Sequence, residues 1–115
     1  MDRLELNTKI GLVVVSASTI SELRYPRAAP PGVGFFTSRM MLAEDESIDA
    51  LIEMEGNAVR AVGELASAKV DSVAYCGTVS GALRGMEKDQ AFCDDMEAQW
   101  GTPTTSTMLA VAQAL

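Results

Sequence analysis

Residues Ile10 to Val15 read Ile-Gly-Leu-Val-Val-Val, an apolar run that ends in three consecutive valines. A strand with one wet face alternates apolar and polar side chains, and this run has no polar side. It therefore requires cover above and below, which a parallel sheet between layers of helix provides. Val33 to Met40 (VGFFTSRM) supplies a second strand, with Phe35 and Phe36 its strongest β-formers. Val70 to Cys76 reads as a third strand and Thr104 to Ser106 as a brief fourth.

The intervening segments carry helical signals. Ile20 to Tyr25 has room for about two turns before Pro26, Pro30, Pro31 and Gly32 mark a loop. Glu44-Asp45-Glu46 places acids where a helix amino terminus favours them. From Ser47 to Lys69 the apolar residues Ile48, Leu51, Ile52, Ala58, Val59, Val62, Leu65 and Ala66 follow the 3.6-residue helical period. Gly56 and Gly63 lie inside that segment, and each costs about 1 kcal/mol relative to alanine unless packing offsets it. Asp89 to Trp100 is a third helix, with Phe92, Met96 and Trp100 four apart on one face. Thr107 to Leu115 is a final one, capped by Ser106 or Thr107. The order β-α-β-α-β-α-β-α predicts an α/β fold: a four-stranded parallel sheet with helices on both faces and right-handed crossovers.

Composition narrows the function. At 115 residues the chain is one domain, and 48% of it is apolar, enough for a core. It contains no histidine, which removes Ser-His-Asp and Cys-His catalysis and the HExxH zinc site. Nine basic against 16 acidic residues give a net charge of −7, so no nucleic-acid partner is expected. The cysteines, Cys76 and Cys93, fit neither a zinc ribbon nor a CxxC motif and read as free thiols. A charged amino terminus and the lack of any long apolar stretch predict a cytoplasmic protein without a membrane partner. With no histidine and scattered carboxylates, no metal site is expected.

In an open parallel sheet ligands gather at the carboxyl ends of the strands, where the strand order reverses. Two small, hydroxyl-rich loops leave adjacent strands at that edge: Ser16-Ala17-Ser18-Thr19 and Gly77-Thr78-Val79-Ser80-Gly81. Exposed backbone N–H groups with hydroxyls beside them form an anion nest suited to a carboxylate or phosphate. The same residues also suit plain tight turns. Neither loop matches GxxxxGK[ST] or GxGxxG, which argues against a nucleotide. Cys76 ends the third strand and is either a nucleophile or proton carrier, or a buried structural thiol. Cys93 beside Asp94 and Asp95 reads as structural. Arg39 could clamp a carboxylate, with a surface ion pair as its other role, while Arg84 lies too far along to reach the loop ligand.

Four segments together resemble a known family: GLVVVSAST (Gly11 to Thr19), PPGVGFFTSRM (Pro30 to Met40), DSVAYCGTVSGALRG (Asp71 to Gly85) and GTPTTSTMLAVAQAL (Gly101 to Leu115). In this order they are similar to the amino-terminal half of the maleate isomerase and arylmalonate decarboxylase group of the aspartate/glutamate racemase superfamily. The resemblance implies one flavodoxin-like lobe, residues 1–115, of a fold that pairs two such lobes around a small mono- or dicarboxylate, without cofactor. Carried over, Ser16, Ser18 and Thr19 belong to the first carboxylate loop, and Gly77, Thr78, Val79 and Ser80 to the second. The sequence departs from the family at four points. The first-lobe cysteine position falls on Gly77, so that Cys76, one residue early, points away from the site if the strand continues that far. Val15 replaces a proline, Ser18 an asparagine, and Val79 a hydroxyl residue. The second lobe has no counterpart in this sequence. The chain is therefore expected to bind a small carboxylate but to be catalytically incomplete alone. The alternative is an isomerase, racemase or decarboxylase assembled as a homodimer, with Cys76 the catalytic candidate.

Overall fold

The computed structural model describes residues 6–41, 47–76, 86–107 and 109–110. Within them lie β1 (Thr8–Val15), α1 (Ile20–Ala28), β2 (Val33–Met40), α2 (Ile48–Ser67), β3 (Ser72–Cys76), α3 (Met86–Trp100) and β4 (Thr104–Ser106). All strand pairs are parallel, in the order β2-β1-β3-β4. The expected α/β class, with helices on both faces, is what forms.

β1 sits inside the sheet as its composition requires, with Leu12, Val13 and Val14 at most 1% exposed. Alternation along the strands divides the side chains between two layers. Val13, Met40, Val73 and Tyr75 face α2 and α3, where they join Met54, Ala58, Val62, Leu65, Phe92 and Met96 in the main core. Tyr75 meets Phe92 edge-on, with ring centroids 5.3 Å apart. The other face carries α1, which has no buried residue of its own. There Phe35 of β2 lies against Tyr25, with centroids 6.3 Å apart.

Most elements follow the sequence reading, and the differences have local causes. α1 runs through Pro26 to Ala28 instead of stopping at Tyr25. Proline removes only one N–H, and the chain recovers at Ala29, whose N–H donates to the Tyr25 carbonyl at 3.1 Å. α2 opens on Ser47, whose hydroxyl accepts from the Ala50 N–H at 3.2 Å. Beyond β4, Thr107, Leu109 and Ala110 take helical backbone. Ser106 is the cap, its Oγ accepting from the Leu109 N–H at 3.1 Å while it also donates to buried Asp89. The acids Glu44 to Glu46 lie outside the described residues. No helix among the described residues is long and apolar enough to cross a membrane.

The two helix glycines differ. A Cβ on Gly63 would stand 2.7 Å from the Trp100 ring, so this glycine lets α3 close on α2. A Cβ on Gly56 meets nothing within 4 Å. Gly56→Ala should therefore stabilise the fold by about 0.5–1 kcal/mol, raising Tm by a few degrees. Gly63→Ala should instead destabilise by about 1 kcal/mol and shift the Trp100 emission. Chemical denaturation of both variants checks the pair. A second expectation concerns acid. The Ser38 hydroxyl, donating to Glu64 Oε1 at 2.5 Å, and Arg60 at 2.8 Å hold the Glu64 carboxyl below the usual carboxylate range. Its contribution is full above the unfolded value and is lost as pH falls through the lower folded one. Glu64→Gln should lower Tm slightly at neutral pH and flatten the acid limb, the two proteins converging toward pH 3 in Tm measured between pH 3 and 7.

Candidate functional site

The chain leaves β1 for β2 on one side, then crosses back to β3 on the other. β1 and β3 are neighbours, with Val14 paired to Cys76, so their carboxyl ends part at the centre of the sheet. This is the crevice expected from the reversal of strand order. A cavity of about 300 Å³ opens there, lined by Ser18, Ile20, Ser21, Arg24, Tyr25, Cys76 and Thr107.

Cys76 reaches it by strand alternation. β3 does continue through Cys76, so Tyr75 turns into the α2–α3 core and Cys76 turns to the α1 layer. The one-residue offset thus directs the thiol to the α1 side of the sheet, where it lines this cavity. Ser21 and Tyr25 sit against the thiol. Burial pushes Cys76 above its ordinary value, outweighing the Ser21 and Tyr25 hydrogen bonds that pull it down. Burial and the neighbouring thiol likewise push the Tyr25 phenol up, against a hydrogen bond from Ser21. The thiol is the neutral partner in a cluster of hydroxyls. Cys93 is buried in the main core, as its structural reading expected.

In the first loop two of the backbone amides are already engaged. The Ser16 N–H donates to the Met40 carbonyl at 2.7 Å and the Ser18 N–H to the Val15 carbonyl at 2.9 Å, so neither is left for a ligand. Arg39 crosses from β2 to hold this turn. Its Nη1 donates to the Ser16 carbonyl at 3.2 Å and the Ser18 carbonyl at 2.8 Å, while Nη2 pairs with Glu22 of α1. Arg39 therefore forms the ion pair that was one of its two expected roles and ties the loop to α1.

Of the predicted residues, Ser18 and Cys76 line the cavity. Ser16 places its hydroxyl 3.7 Å from the Met41 sulfur, and Thr19 caps α1 without a side-chain hydrogen bond. Neither lines the cavity. Gly77, Thr78, Val79 and Ser80 lie outside the described residues.

Ser21, Arg24 and Tyr25 were not singled out from the sequence. Their spacing, three and four residues apart on α1, is the signal that would have found them: one polar helical face behind the first loop. Arg24 has no ion-pair partner among the described residues. The cavity thus combines one uncommitted guanidinium with hydroxyls of Ser18, Ser21 and Tyr25 and a neutral thiol. A planar guanidinium among hydroxyls suits a carboxylate, which can take two of its N–H groups at once.

No protein-family model and no curated protein matches the chain. Solved structures do. Maleate isomerase from Pseudomonas putida S16, with maleate, superposes with a TM-score of 0.72 and 22% identity over 86% of this chain and 44% of that one. Maleate cis-trans isomerase from Nocardia farcinica, bound to TRIS, gives 0.72 and 24% over 92% and 46%. Arylmalonate decarboxylase gives 0.70 and 25% over 91% and 44%. The chain spans less than half the length of each of these proteins. It has the fold of one half of the maleate isomerase and arylmalonate decarboxylase chains, the racemase-type lobe that its four sequence segments resemble.

Proposed function

We propose that this chain is a small-carboxylate-binding lobe, with its ligand in the cavity at the carboxyl ends of β1 and β3. The observation that carries the reading is Arg24, a cation with no ion-pair partner among the described residues, facing a hydroxyl-lined cavity at the strand crossover. The fold it shares with a maleate isomerase solved with maleate adds support for an acid as the ligand. The chain by itself is catalytically incomplete on this reading. Its cavity thiol, Cys76, is pushed above its ordinary value by burial, and among the described residues only the Ser21 and Tyr25 hydrogen bonds work against that.

A second reading is a cofactor-independent isomerase, racemase or decarboxylase that another copy completes. It is favoured by the exposed apolar residues near the carboxyl edge, among them Ile20, Met41, Ile48 and Ile52, which a partner surface would cover. The Nocardia farcinica isomerase, captured with a succinylcysteine intermediate, shows the kind of chemistry such an assembly would need from a cysteine. The first reading stands ahead because the thiol is neutral.

Two measurements test this function. Calorimetric titration with malonate, maleate, aspartate and phenylmalonate at matched ionic strength should show one acid binding. Arg24→Gln should weaken it tenfold or more, the scale of a hydrogen bond to a charged group. Unchanged binding in that variant removes the proposed site. Second, iodoacetamide should modify Cys76 slowly at pH 7 and leave buried Cys93 untouched. Its rate should climb steadily beyond pH 9, and the bound acid should protect the thiol. Fast alkylation at pH 7 would favour the enzymatic reading.

A further inference from the structure

We infer that strand β2 pairs edge to edge with β2 of a second copy of this chain, antiparallel about a twofold axis at Phe35. The inference stands apart from the carboxylate reading, since none of the residues it uses lines the cavity. β2 ends the sheet, with β1 on one side and no strand on the other among the described residues. The carbonyls of Gly32 and Met40 accept from the Thr8 and Ser16 N–H groups at 3.2 and 2.7 Å. Backbone direction alternates along a strand, so Gly34, Phe36 and Ser38 also turn inward, while Val33, Phe35, Thr37 and Arg39 turn outward. The Arg39 carbonyl is taken by Nη2 of Arg60 on α2 at 2.6 Å, which closes the carboxyl end of this edge. Val33, Phe35 and Thr37 have no backbone partner on that side among the described residues.

Long edges are ordinarily blunted by lysine, proline, a bulge or an inward charge. Val33 to Ser38 carries no charge and no proline, and its register with β1 is unbroken. An apolar patch lies beside it. Leu6 and Phe36 are 38% and 40% exposed and flank Gly34, where a Cβ would stand 2.5 Å from Leu6 Cδ1 and 3.2 Å from the Phe36 ring. A knob and a seat thus sit two residues apart on one strand. Pairing about Phe35 sets each Phe36 directly across from Gly34 of the other copy, in the close, non-hydrogen-bonded position. Both rings then lie over a glycine and against Leu6. A foreign strand would need its own aromatic and glycine at the same spacing to do as much. In the same register Val33 meets Thr37 and Phe35 meets itself, for roughly six inter-copy N–H···O bonds. An axis at Phe36 would instead draw in the Arg39 carbonyl that Arg60 already holds. The opposite edge, β4, is three residues long, so the contact closes at two copies.

Sedimentation equilibrium of the full chain, with the net charge of −7 screened by salt, reads the assembly directly. It should show a dimer by about 0.1 mM, an association of modest strength. Phe36→Lys, at an exposed position, and Thr37→Pro, which removes an outward N–H that β1 does not use, should each weaken it tenfold or more. Amide exchange followed by NMR reads the register. The amides of Val33, Phe35 and Thr37 should slow at least tenfold as the dimer forms, while those of Gly34, Phe36 and Ser38 stay slow throughout. A monomer at about 1 mM, or an assembly larger than two, overturns the inference. So does a dimer that both variants leave intact, or one that leaves the three outward amides fast. Outward amides already slow in a monomer also overturn it, since the chain would then be covering its own edge. If Thr37→Pro fails to fold, Phe36→Lys and the wild-type amides decide.

Discussion

Strand β1 has apolar side chains on both faces and can only lie inside a sheet that is covered twice. Leu12, Val13 and Val14 meet that demand, each almost completely removed from solvent. With β1 internal, β2 and β3 must flank it, and a chain that builds outward in both directions reverses its strand order there. The crevice at the carboxyl ends of β1 and β3 is the result. The two covering layers are unequal. α2 and α3 bury the large core, while among the described elements α1 covers the other face with no buried residue of its own. An amphipathic helix laid thinly on a sheet leaves polar side chains free to face a cavity, and Ser21, Arg24 and Tyr25 do so.

The electrostatics of the site turn on two arginines with different fates. Arg39 gives its charge to Glu22 and its donors to two carbonyls, and so fixes the β1–α1 turn against β2. Arg24 keeps its charge and faces the cavity. Burial pushes the Cys76 thiol above its ordinary value and favours its neutral form, although the Ser21 and Tyr25 hydroxyls partly offset that effect. On the proposed reading, such a site holds an anion more readily than it attacks one. That balance is why binding is placed ahead of catalysis, despite a fold shared with isomerases and a decarboxylase.

Much of the architecture was legible in the residues. The bounds of β2 and β4 were read as they form, because aromatic and β-branched runs are local signals. Of the two caps considered for the last helix, Ser106 is the one that closes it. Gly56 and Gly63 looked alike in sequence, but the packing of Trp100 against Gly63 separates them. The site was legible only in part. Ser18 and Cys76 line the cavity, whereas Ser16 and Thr19 turn elsewhere and two loop amides are consumed by carbonyls. Local residue type signals a capacity for hydrogen bonding. It does not reveal which partner has already taken it.

The sequence by itself determined that β1 would be buried, that strands would alternate with helices, and that small polar loops would leave the strand ends. These follow from the covalent order and from the periodicity of apolar side chains, which act within a few residues. Tertiary structure decided that Arg39 is paired while Arg24 has no ion-pair partner among the described residues, because Arg39 and Glu22 are 17 residues apart and meet only once β2 docks beside β1. It also decided that Cys76 faces a cavity. The direction of a strand side chain is set by alternation, but what awaits it there depends on which layer packs on that face.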